Sequence, residues 1–445
     1  MEVSLQQILD AREQRAARQK HLLQGYHCSL ICFTMNIAGP IKNSPLITQG
    51  FQLGVKLLLA QLAGSRMALL HREEYLKATG CEGFFLVDAP APALKKLTTE
   101  IENSAPIGRL FDMDVLSPDG CKLSREELGL PERKCLLCHQ SAHICGRSRT
   151  QSVQQLQEKT VQILRDARWQ EDSRSIASLA VQSLLYEAGT TPKPGLVDLR
   201  NSGSHQDMDL FTFLSSSAAL QPYFTDCALT GLQTAALPPA ATFERIRFLG
   251  KQAEQAMLRA TGGINTHKGA IFSLGILCAA AGRLEKSQRS PEAICSQAAA
   301  MTAGLSEADL GSTDPKTVGE KLYNRYGITG VRGQAEAGFP AVLTAGLPTL
   351  EAGLSLGLTL PVAGSAALLK LMCAITDTNL IARSDLKTQQ ALCLKISALL
   401  EKTPFPSREV LETLDDEFIG KNLSPGGSAD LLAASYFLYF LKKDL

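Results

Sequence analysis

The residues best suited to chemistry lie in one irregular stretch of the chain, residues 187–209. Its two prolines and three glycines prevent regular secondary structure, so ordering it costs conformational entropy that a bound ligand would offset. Basic side chains suit phosphate groups, and carboxylates suit Mg²⁺. We therefore expect a phosphate and Mg²⁺ site, drawn from the charged residues Glu187, Lys193, Asp198, Arg200, His205, Asp207 and Asp209.

Three further polar loops each lie beside an apolar segment. In residues 262–269 a glycine-rich turn leads into an apolar run, which aims free N–H groups and the positive end of a helix dipole at an anion. One such loop is typical of a plain helix cap, but four charged loops in one helical region favour a binding site. The candidate binding residues here are Gly262, Gly263, Asn265, His267, Lys268, Asp377, Asn379, Gly426, Gly427, Ser428 and Asp430.

A pair of carboxylates stands apart from these loops. Asp112 and Asp114 are two residues apart in an apolar segment that we expect to be a strand, which places both on one face. Such a pair suits a shared Mg²⁺ in nucleotidyl transfer. Taken alone, Asp-x-Asp is more often a solvated strand edge.

Cysteines and histidines cluster at Cys135-x-x-Cys138 and His143-x-Cys145. The first pair has the spacing of zinc ligands, but the remainder is cramped for a standard zinc knuckle. We favour reduced thiols that pack a small hairpin over a zinc site at Cys135, Cys138, His143 and Cys145. Haem attachment through Cys-x-x-Cys-His is a weaker alternative.

The elements that must position these residues change character near residue 170. Before it, helical and strand-like segments alternate, which indicates an α/β or α+β domain. After it the chain is rich in Ala and Leu, which indicates an all-α domain whose loops carry the polar motifs. We expect domains at residues 1–168 and 169–445. Helices are expected at residues 5–23, 46–62, 151–168, 173–187, 209–220, 241–261, 268–281, 290–302, 364–376, 386–400 and 428–441, and strands at 28–35, 83–88 and 107–115.

Composition narrows the functional classes. The 445 residues carry a net charge of +1, which gives no reason to expect nucleic-acid or membrane binding. Residues 1–20 lack the apolar core of a signal peptide, and the nearest approach to a membrane span is the glycine- and proline-containing stretch 341–374. The twelve cysteines are most simply reduced thiols in the cytoplasm.

The four loops resemble the triphosphoribosyl-dephospho-CoA synthase family. The resemblance rests on Glu187 with residues 191–198, 204–209, 263–269, 377–379 and 425–430, and covers about residues 170–445. It implies that ATP and 3′-dephospho-CoA give 2′-(5″-triphosphoribosyl)-3′-dephospho-CoA and adenine. The family usually continues with Arg-Gly-Gly after the third loop, whereas Arg383-Ser-Asp385 stands here.

The first domain resembles the holo-citrate lyase synthase family. The residues that carry this resemblance are 36–42, 108–115 with Arg109, Asp112 and Asp114, 123–125, 133–138 and 145–147. The family implies a nucleotidyltransferase-like domain that attaches the product of the other reaction to a serine of the citrate lyase acyl carrier (gamma) subunit, releasing pyrophosphate. Ala38 stands where the family usually has proline.

These resemblances assign roles to the candidates. Glycosyl transfer passes through an oxocarbenium-like state that carboxylates stabilise, and it needs a base and an acid. We expect Glu187 to be the base, Asp207 and Asp209 to hold Mg²⁺, and His267 and Lys268 to bind the triphosphate. Two alternatives stay open: the malonate decarboxylase carrier as acceptor, and a non-catalytic scaffold that binds nucleotide or CoA.

Overall fold

The computed structural model describes residues 2–138, 140–148 and 150–444, which form two compact units, Met1–Gln170 and Glu171–Leu445. The first contains a small sheet with helices and the second is helical, which confirms the expected two-domain layout. The helices predicted at residues 151–168 and 173–187 are one continuous helix, since no proline or glycine interrupts the sequence before Gly189.

The first unit combines four strands with the opening helices. In chain order these elements are α1 (Leu5–Tyr26), β1 (Ser29–Met35), α2 (Pro45–Gly64), β2 (Ala68–Lys77), β3 (Gly80–Asp88), α3 (Ala91–Ser104), β4 (Phe111–Leu116) and α4 (Ala142–Ser148), followed by α5 (Val153–Gly189).

The second unit is built from helices joined by loops, the longest of which spans residues 190–209. The helices are α6 (Leu210–Ala219), α7 (Gln221–Thr234), α8 (Pro239–Ala260), α9 (Lys268–Gly282), α10 (Pro291–Met301), α11 (Leu305–Leu310), α12 (Val318–Tyr326), α13 (Gly330–Glu336), α14 (Leu347–Ser355), α15 (Leu360–Ala374), α16 (Thr378–Arg383), α17 (Leu386–Lys402), α18 (Arg408–Gly420) and α19 (Gly426–Lys443).

The sheet of the first unit is antiparallel, in the order β2-β3-β1-β4. One face packs an aromatic core, in which the ring centroids of Phe33 and Phe51 lie 4.8 Å apart. The opposite face meets α1 through Leu22 and Leu23. Of the strand predicted at 107–115, only residues 111–115 are extended, because the preceding residues form a 3₁₀ turn in which Gly108 lies against the backbone of α3.

Helix α2 is long and apolar enough to cross a membrane by length and composition alone. The stretch 341–374, expected to be the nearest approach to a span, is instead divided between α14, α15 and a preceding turn of π-helix. Seven residues of α2, among them Phe51 and Leu58, are buried in the first unit. The apolar character of α2 therefore has an explanation in core packing.

Helices α9 and α19 form the centre of the second unit. Nearly every residue of α9 is buried, and α19 buries an apolar stretch from Leu431 to Leu441. A Cβ atom added at Gly231 of α7 would clash with the carbonyl oxygen of Ala279, and one at Gly282 would clash with that of Ala228. Small residues are thus required where α7 and α9 cross at close range.

Candidate functional site

The four polar loops of the second unit converge on one cavity of about 1140 Å³. They meet because each loop begins or ends a helix of the central bundle. Most of the residues predicted from the sequence line this cavity. They are Glu187, Lys193, His205, Asp207, Asn265, His267, Lys268, Asp377, Asn379, Gly426, Gly427 and Asp430.

A buried ion pair closes one wall. Glu187 ends α5, and its side chain is 5% exposed, while that of Lys193 is 1% exposed. Lys193 Nζ donates to the Glu187 carboxylate and, at 2.7 Å, to the Glu187 carbonyl oxygen. The pairing satisfies both charges where water is scarce, so the two residues act as a unit.

Two buried aspartates hold the first loop in shape without reaching the cavity. Asp198 accepts hydrogen bonds from the backbone N–H groups of Lys193 at 2.8 Å and Arg200 at 2.7 Å, and burial raises its pKa. Asp415 of α18 accepts from Gly195 N at 2.9 Å and from the Arg200 guanidinium. Asp198 and Arg200, candidates for ligand binding in the sequence, therefore stabilise the loop.

His205 and Arg383 fasten the first loop to its neighbours. His205 Nε2 lies 2.9 Å from Ser424 Oγ, and Nδ1 lies 3.2 Å from Arg383 Nη2. Arg383 also donates to the Ser204 carbonyl oxygen at 2.8 Å. Burial, together with the nearby Arg383 charge, lowers the pKa of His205. Although Arg-Gly-Gly is absent, Asp385 caps α17 by accepting from Thr388 N at 2.7 Å, so the third loop is well formed.

Asp377 joins the N-termini of two helices. Its carboxylate accepts from Asn379 N at 3.0 Å in α16 and from Ser428 N and Ser428 Oγ at 2.8 and 2.9 Å in α19. Burial raises its pKa, and these donors act in the opposite direction. Ser428 does not line the cavity. Asp377 and Ser428 thus bind each other. In this geometry they hold the N-termini of α16 and α19 in place beside the cavity, whereas we predicted that they bind the ligand.

The N-terminus of α9 faces Asp430. Ala270 N donates to the Asp430 carboxyl, and a Cβ atom at Gly269 would overlap Asp430 Oδ2, so only glycine allows this approach. Burial raises the pKa of Asp430 well above its usual value, and the charges of Glu187 and Asp377 raise it further. The cavity therefore contains a carboxyl group biased toward the protonated, proton-donating form.

His267, expected to bind the triphosphate, favours its neutral form in this environment. Burial, and then the charge of Lys193, lowers its pKa to about 3. Thr266 Oγ1 donates to Ser216 Oγ at 2.8 Å, so the Ser216 hydroxyl hydrogen is available for His267 Nδ1, 2.7 Å away. The remaining ring nitrogen, Nε2, then carries the proton and has no hydrogen-bond partner among the described residues. It is an orphaned donor at the cavity wall.

The remaining candidates differ in placement. Lys268 lies at the cavity mouth, 61% exposed, with Nζ 3.2 Å from Glu254. Asp207 is exposed and lines the cavity. Asp209 does not line it, because its carboxylate accepts from Thr212 N at 2.9 Å as the N-cap of α6, and the Thr212 hydrogen bonds lower its pKa. Gly262 and Gly263 form the turn before α9, with positive φ angles of 67° and 96°, and also lie outside the lining.

Sequence reasoning missed a fifth contributor to the cavity, residues 317–334. This segment contains α12 and α13, and it contributes Tyr326 and Arg332 to the lining. Its glycines at 327, 330 and 333 follow the pattern of the other loops and were the available signal.

In the first unit, the carboxylates of Asp112 and Asp114 lie on the sheet face that meets α1, as their spacing predicts. Asp112 pairs with Arg133 at 3.2 Å and Asp114 with Lys122 at 2.6 Å. Glu82, which sequence reasoning missed, shares this face because Thr34 of β1 pairs with both Glu82 and Asp112. Strand spacing places the two acids about 10 Å apart. Glu82 could have been noticed in the sequence as a charged residue within the apolar run of β3.

Arg109 and the cysteine-rich segment lie beside these acids. Arg109 donates to the carbonyl oxygens of Lys134, at 2.8 Å, and Cys135. The sulfur atoms of Cys135, Cys138 and Cys145 all lie within 4.8 Å of one another. His143 is exposed and does not belong to this group, so the four-ligand set considered from the sequence is reduced to three cysteines.

Comparisons with known proteins agree with this division. Residues 173–445 match the family model of ATP:dephospho-CoA triphosphoribosyl transferase, and residues 3–167 match that of apo-citrate lyase phosphoribosyl-dephospho-CoA transferase. The chain is 36% identical to Protein CitXG of Haemophilus influenzae, covering 98% of this chain and 96% of the relative. It is 34% identical to Protein CitXG of Leuconostoc mesenteroides subsp. cremoris, covering 98% and 97%.

A shorter relative matches mainly the second unit. The 2-(5''-triphosphoribosyl)-3'-dephosphocoenzyme-A synthase of Haemophilus ducreyi is 40% identical, over 68% of this chain and 99% of its own length. The chain therefore belongs to the family of fused proteins that join an apo-citrate lyase phosphoribosyl-dephospho-CoA transferase domain to an ATP:dephospho-CoA triphosphoribosyl transferase domain.

Proposed function

We propose that the two units of this bifunctional transferase carry out consecutive reactions. The helical unit makes 2′-(5″-triphosphoribosyl)-3′-dephospho-CoA from ATP and 3′-dephospho-CoA, releasing adenine. The sheet-containing unit transfers the phosphoribosyl-dephospho-CoA group to a serine of the citrate lyase acyl carrier subunit, releasing pyrophosphate. The observation that carries the first assignment is the convergence of four polar loops on one cavity with an ion pair, a protonation-prone carboxyl and an orphaned donor.

In the helical unit, the bond between the ATP ribose and adenine breaks, and the 2′-hydroxyl of dephospho-CoA bonds to the same anomeric carbon. Glu187 takes the hydroxyl proton, and Lys193 holds its carboxylate in place. Asp430 gives a proton to the departing adenine, because its raised pKa favours the protonated acid. Two carboxyl groups whose surroundings separate their roles in this way are a recurring acid–base arrangement.

The triphosphate is bound by donors around the N-terminus of α9. Lys268 supplies charge, and neutral His267 supplies its Nε2 hydrogen. Mg²⁺ would be held by Asp207 together with substrate phosphate oxygens, since Mg²⁺ commonly uses only one or two protein carboxylates. Within the described parts of the chain, no group of three carboxylates is gathered to hold a metal by itself. When bound, Mg²⁺ would neutralise phosphate charge.

In the sheet-containing unit, the carrier serine oxygen bonds to the phosphorus nearest the ribose, the bond from that phosphorus to pyrophosphate breaks, and the serine hydroxyl proton passes to solvent. Asp112 and Asp114 are oxygen donors suited to Mg²⁺, which would draw them from their present partners Arg133 and Lys122. Arg133 and Lys122 would then be free to pair with the negative charge of the departing pyrophosphate. Buried Glu82, held by Arg15 at 2.8 Å, supplies a third acid on this face.

The decisive experiment supplies the protein with ATP and 3′-dephospho-CoA and measures free adenine by chromatography. Stoichiometric adenine and the triphosphoribosyl product are expected, whereas binding without adenine release would favour a non-catalytic scaffold. Adding apo-citrate lyase carrier or malonate decarboxylase carrier then tests acceptor choice by mass spectrometry. We expect modification of the citrate lyase carrier, and exclusive modification of the other would overturn the acceptor.

The place of action follows from thiol chemistry. None of the twelve cysteines, all of which lie in the described parts of the chain, forms a disulfide. Thiols persist in reducing compartments, which supports a cytoplasmic location.

A further inference from the structure

The cysteine cluster of the first unit has the spacing of metal-bound thiolates. The sulfur atoms of Cys135, Cys138 and Cys145 lie within 4.8 Å of one another, with Cys138 and Cys145 at 3.4 Å. Four thiolates around zinc at about 2.3 Å place neighbouring sulfurs roughly 3.8 Å apart. The three sulfurs thus occupy nearly one face of such a tetrahedron.

The backbone around the cluster is arranged to keep the thiols together. Cys135 N donates to the Gln140 carbonyl oxygen at 2.8 Å, and Ala142 N donates to that of Arg133 at 2.8 Å, which closes a tight hairpin. Cys145 reaches the same point from α4. The hairpin and α4 thus hold the three sulfur atoms near one another.

Apart from polar contacts that its arginines make with α3 and β4, little holds this part of the chain. Among the described residues of 117–150, only Cys135 and Cys145 are buried, and the longest helix, α4, has seven residues. A segment without its own apolar core needs a cross-link or a metal to keep one shape.

We propose that Cys135, Cys138 and Cys145 bind one structural Zn²⁺. Soft thiolate donors select zinc over Mg²⁺ or Ca²⁺, and the thiol protons pass to solvent on binding without any oxidation or reduction. Three thiolates leave one position of the zinc tetrahedron for a further ligand.

The zinc site would serve the transferase reaction of the first unit. This role, unlike the binding of zinc, rests on the proposed function. Arg133 precedes the cluster by two residues and contacts Asp112 at 3.2 Å, the Arg109 carbonyl oxygen at 2.8 Å and the Phe111 carbonyl oxygen at 2.6 Å. Arg109 in turn donates to the carbonyl oxygen of Cys135. Zinc would thereby fix the position of Arg133 beside the Asp112 carboxylate.

The test is metal content, which does not depend on activity. Untagged protein from zinc-supplemented cells is analysed by mass spectrometry for metals, with an expected content of about one zinc per chain. Cys138→Ser should lower this content at least tenfold. Cys121→Ser, which changes an exposed thiol in the same segment, is the matched control and should keep the zinc. Zinc X-ray absorption should show three sulfur neighbours.

Metal-free wild-type protein provides a second measurement where a variant does not fold. Titration with Co²⁺ should produce thiolate-to-metal charge-transfer absorption that Zn²⁺ abolishes. Zinc-free protein from rich medium, equal zinc in Cys138→Ser and wild type, or a Cys138–Cys145 disulfide in the native protein would each overturn the site. Adenine release should survive in Cys138→Ser, so loss of zinc is distinguishable from failure of the proposed first reaction.

Discussion

Replacing Glu187 by glutamine tests whether its carboxylate acts on substrate or only neutralises Lys193. The two side chains are 5% and 1% exposed. Removing one member of such a buried pair costs roughly 3–5 kcal/mol of unfolding free energy, because the remaining charge is left without a partner. The same change removes the proposed base, which should slow adenine release about 10²–10⁴-fold.

The double variant Glu187→Gln/Lys193→Met separates the two effects. It removes the stranded charge, so most of the lost stability should return, while adenine release stays low. Stability is measured by urea unfolding followed by far-UV circular dichroism, and the rate at saturating ATP by adenine chromatography. The control is Glu417→Gln, whose partners Lys395 and Lys421 are 56% and 57% exposed, and it should cost at most about 1 kcal/mol.

Two results would refute this reasoning. If the double variant regains both stability and adenine release, Glu187 is only a counter-ion. If Glu187→Gln does not unfold at a lower urea concentration than Glu417→Gln, the pair does not carry the burial cost assigned to it.

Further predictions concern single groups. Asp112→Ala or Asp114→Ala should abolish carrier modification while adenine release continues, and equal loss of both activities in folded protein would contradict the division of labour. Lys268→Ala should raise the ATP KM or lower kcat about tenfold, as expected for a charge-assisted contact of roughly 1.5–3 kcal/mol, and an unchanged ATP saturation curve would count against it. Because the pKa of His267 is lowered to about 3 from 6.5, its stabilising contribution is complete above pH 6.5 and declines as the pH falls toward 3. At pH 5 the wild-type protein should have lost about 2 kcal/mol of unfolding free energy in this way. Urea unfolding curves of His267→Gln, measured at the same two pH values, should not show this loss.

Much of the fold follows from local pattern. Helices α1 and α9 were predicted within a few residues of their ends, since apolar periodicity and capping residues act over a few positions. The exposed strand β2 and the six-residue helix α16 were missed because exposed or brief sequences carry little periodic signal.

Site membership was partly predictable for the same reason. Charged residues in proline- and glycine-rich loops indicate a ligand wherever the loops finally lie, and this located Glu187, Lys193 and Lys268 at the cavity. The role of each residue within the site was harder to predict from the sequence. Asp209 and Asp207 have the same side chain two residues apart, yet only Asp207 lines the cavity, because Asp209 caps α6.

The sequence by itself therefore determined the two-domain layout, the chemical types of the site and the family, all of which depend on residues near one another in the chain or on motifs as a set. Only the tertiary structure decided which groups are charged, paired or free. His267 is neutral because it is buried and lies near the charge of Lys193, and Asp430 favours its protonated form because it is buried and lies near Glu187 and Asp377. Burial and electrostatic coupling depend on distance in space, and the order of residues along the chain does not contain that distance.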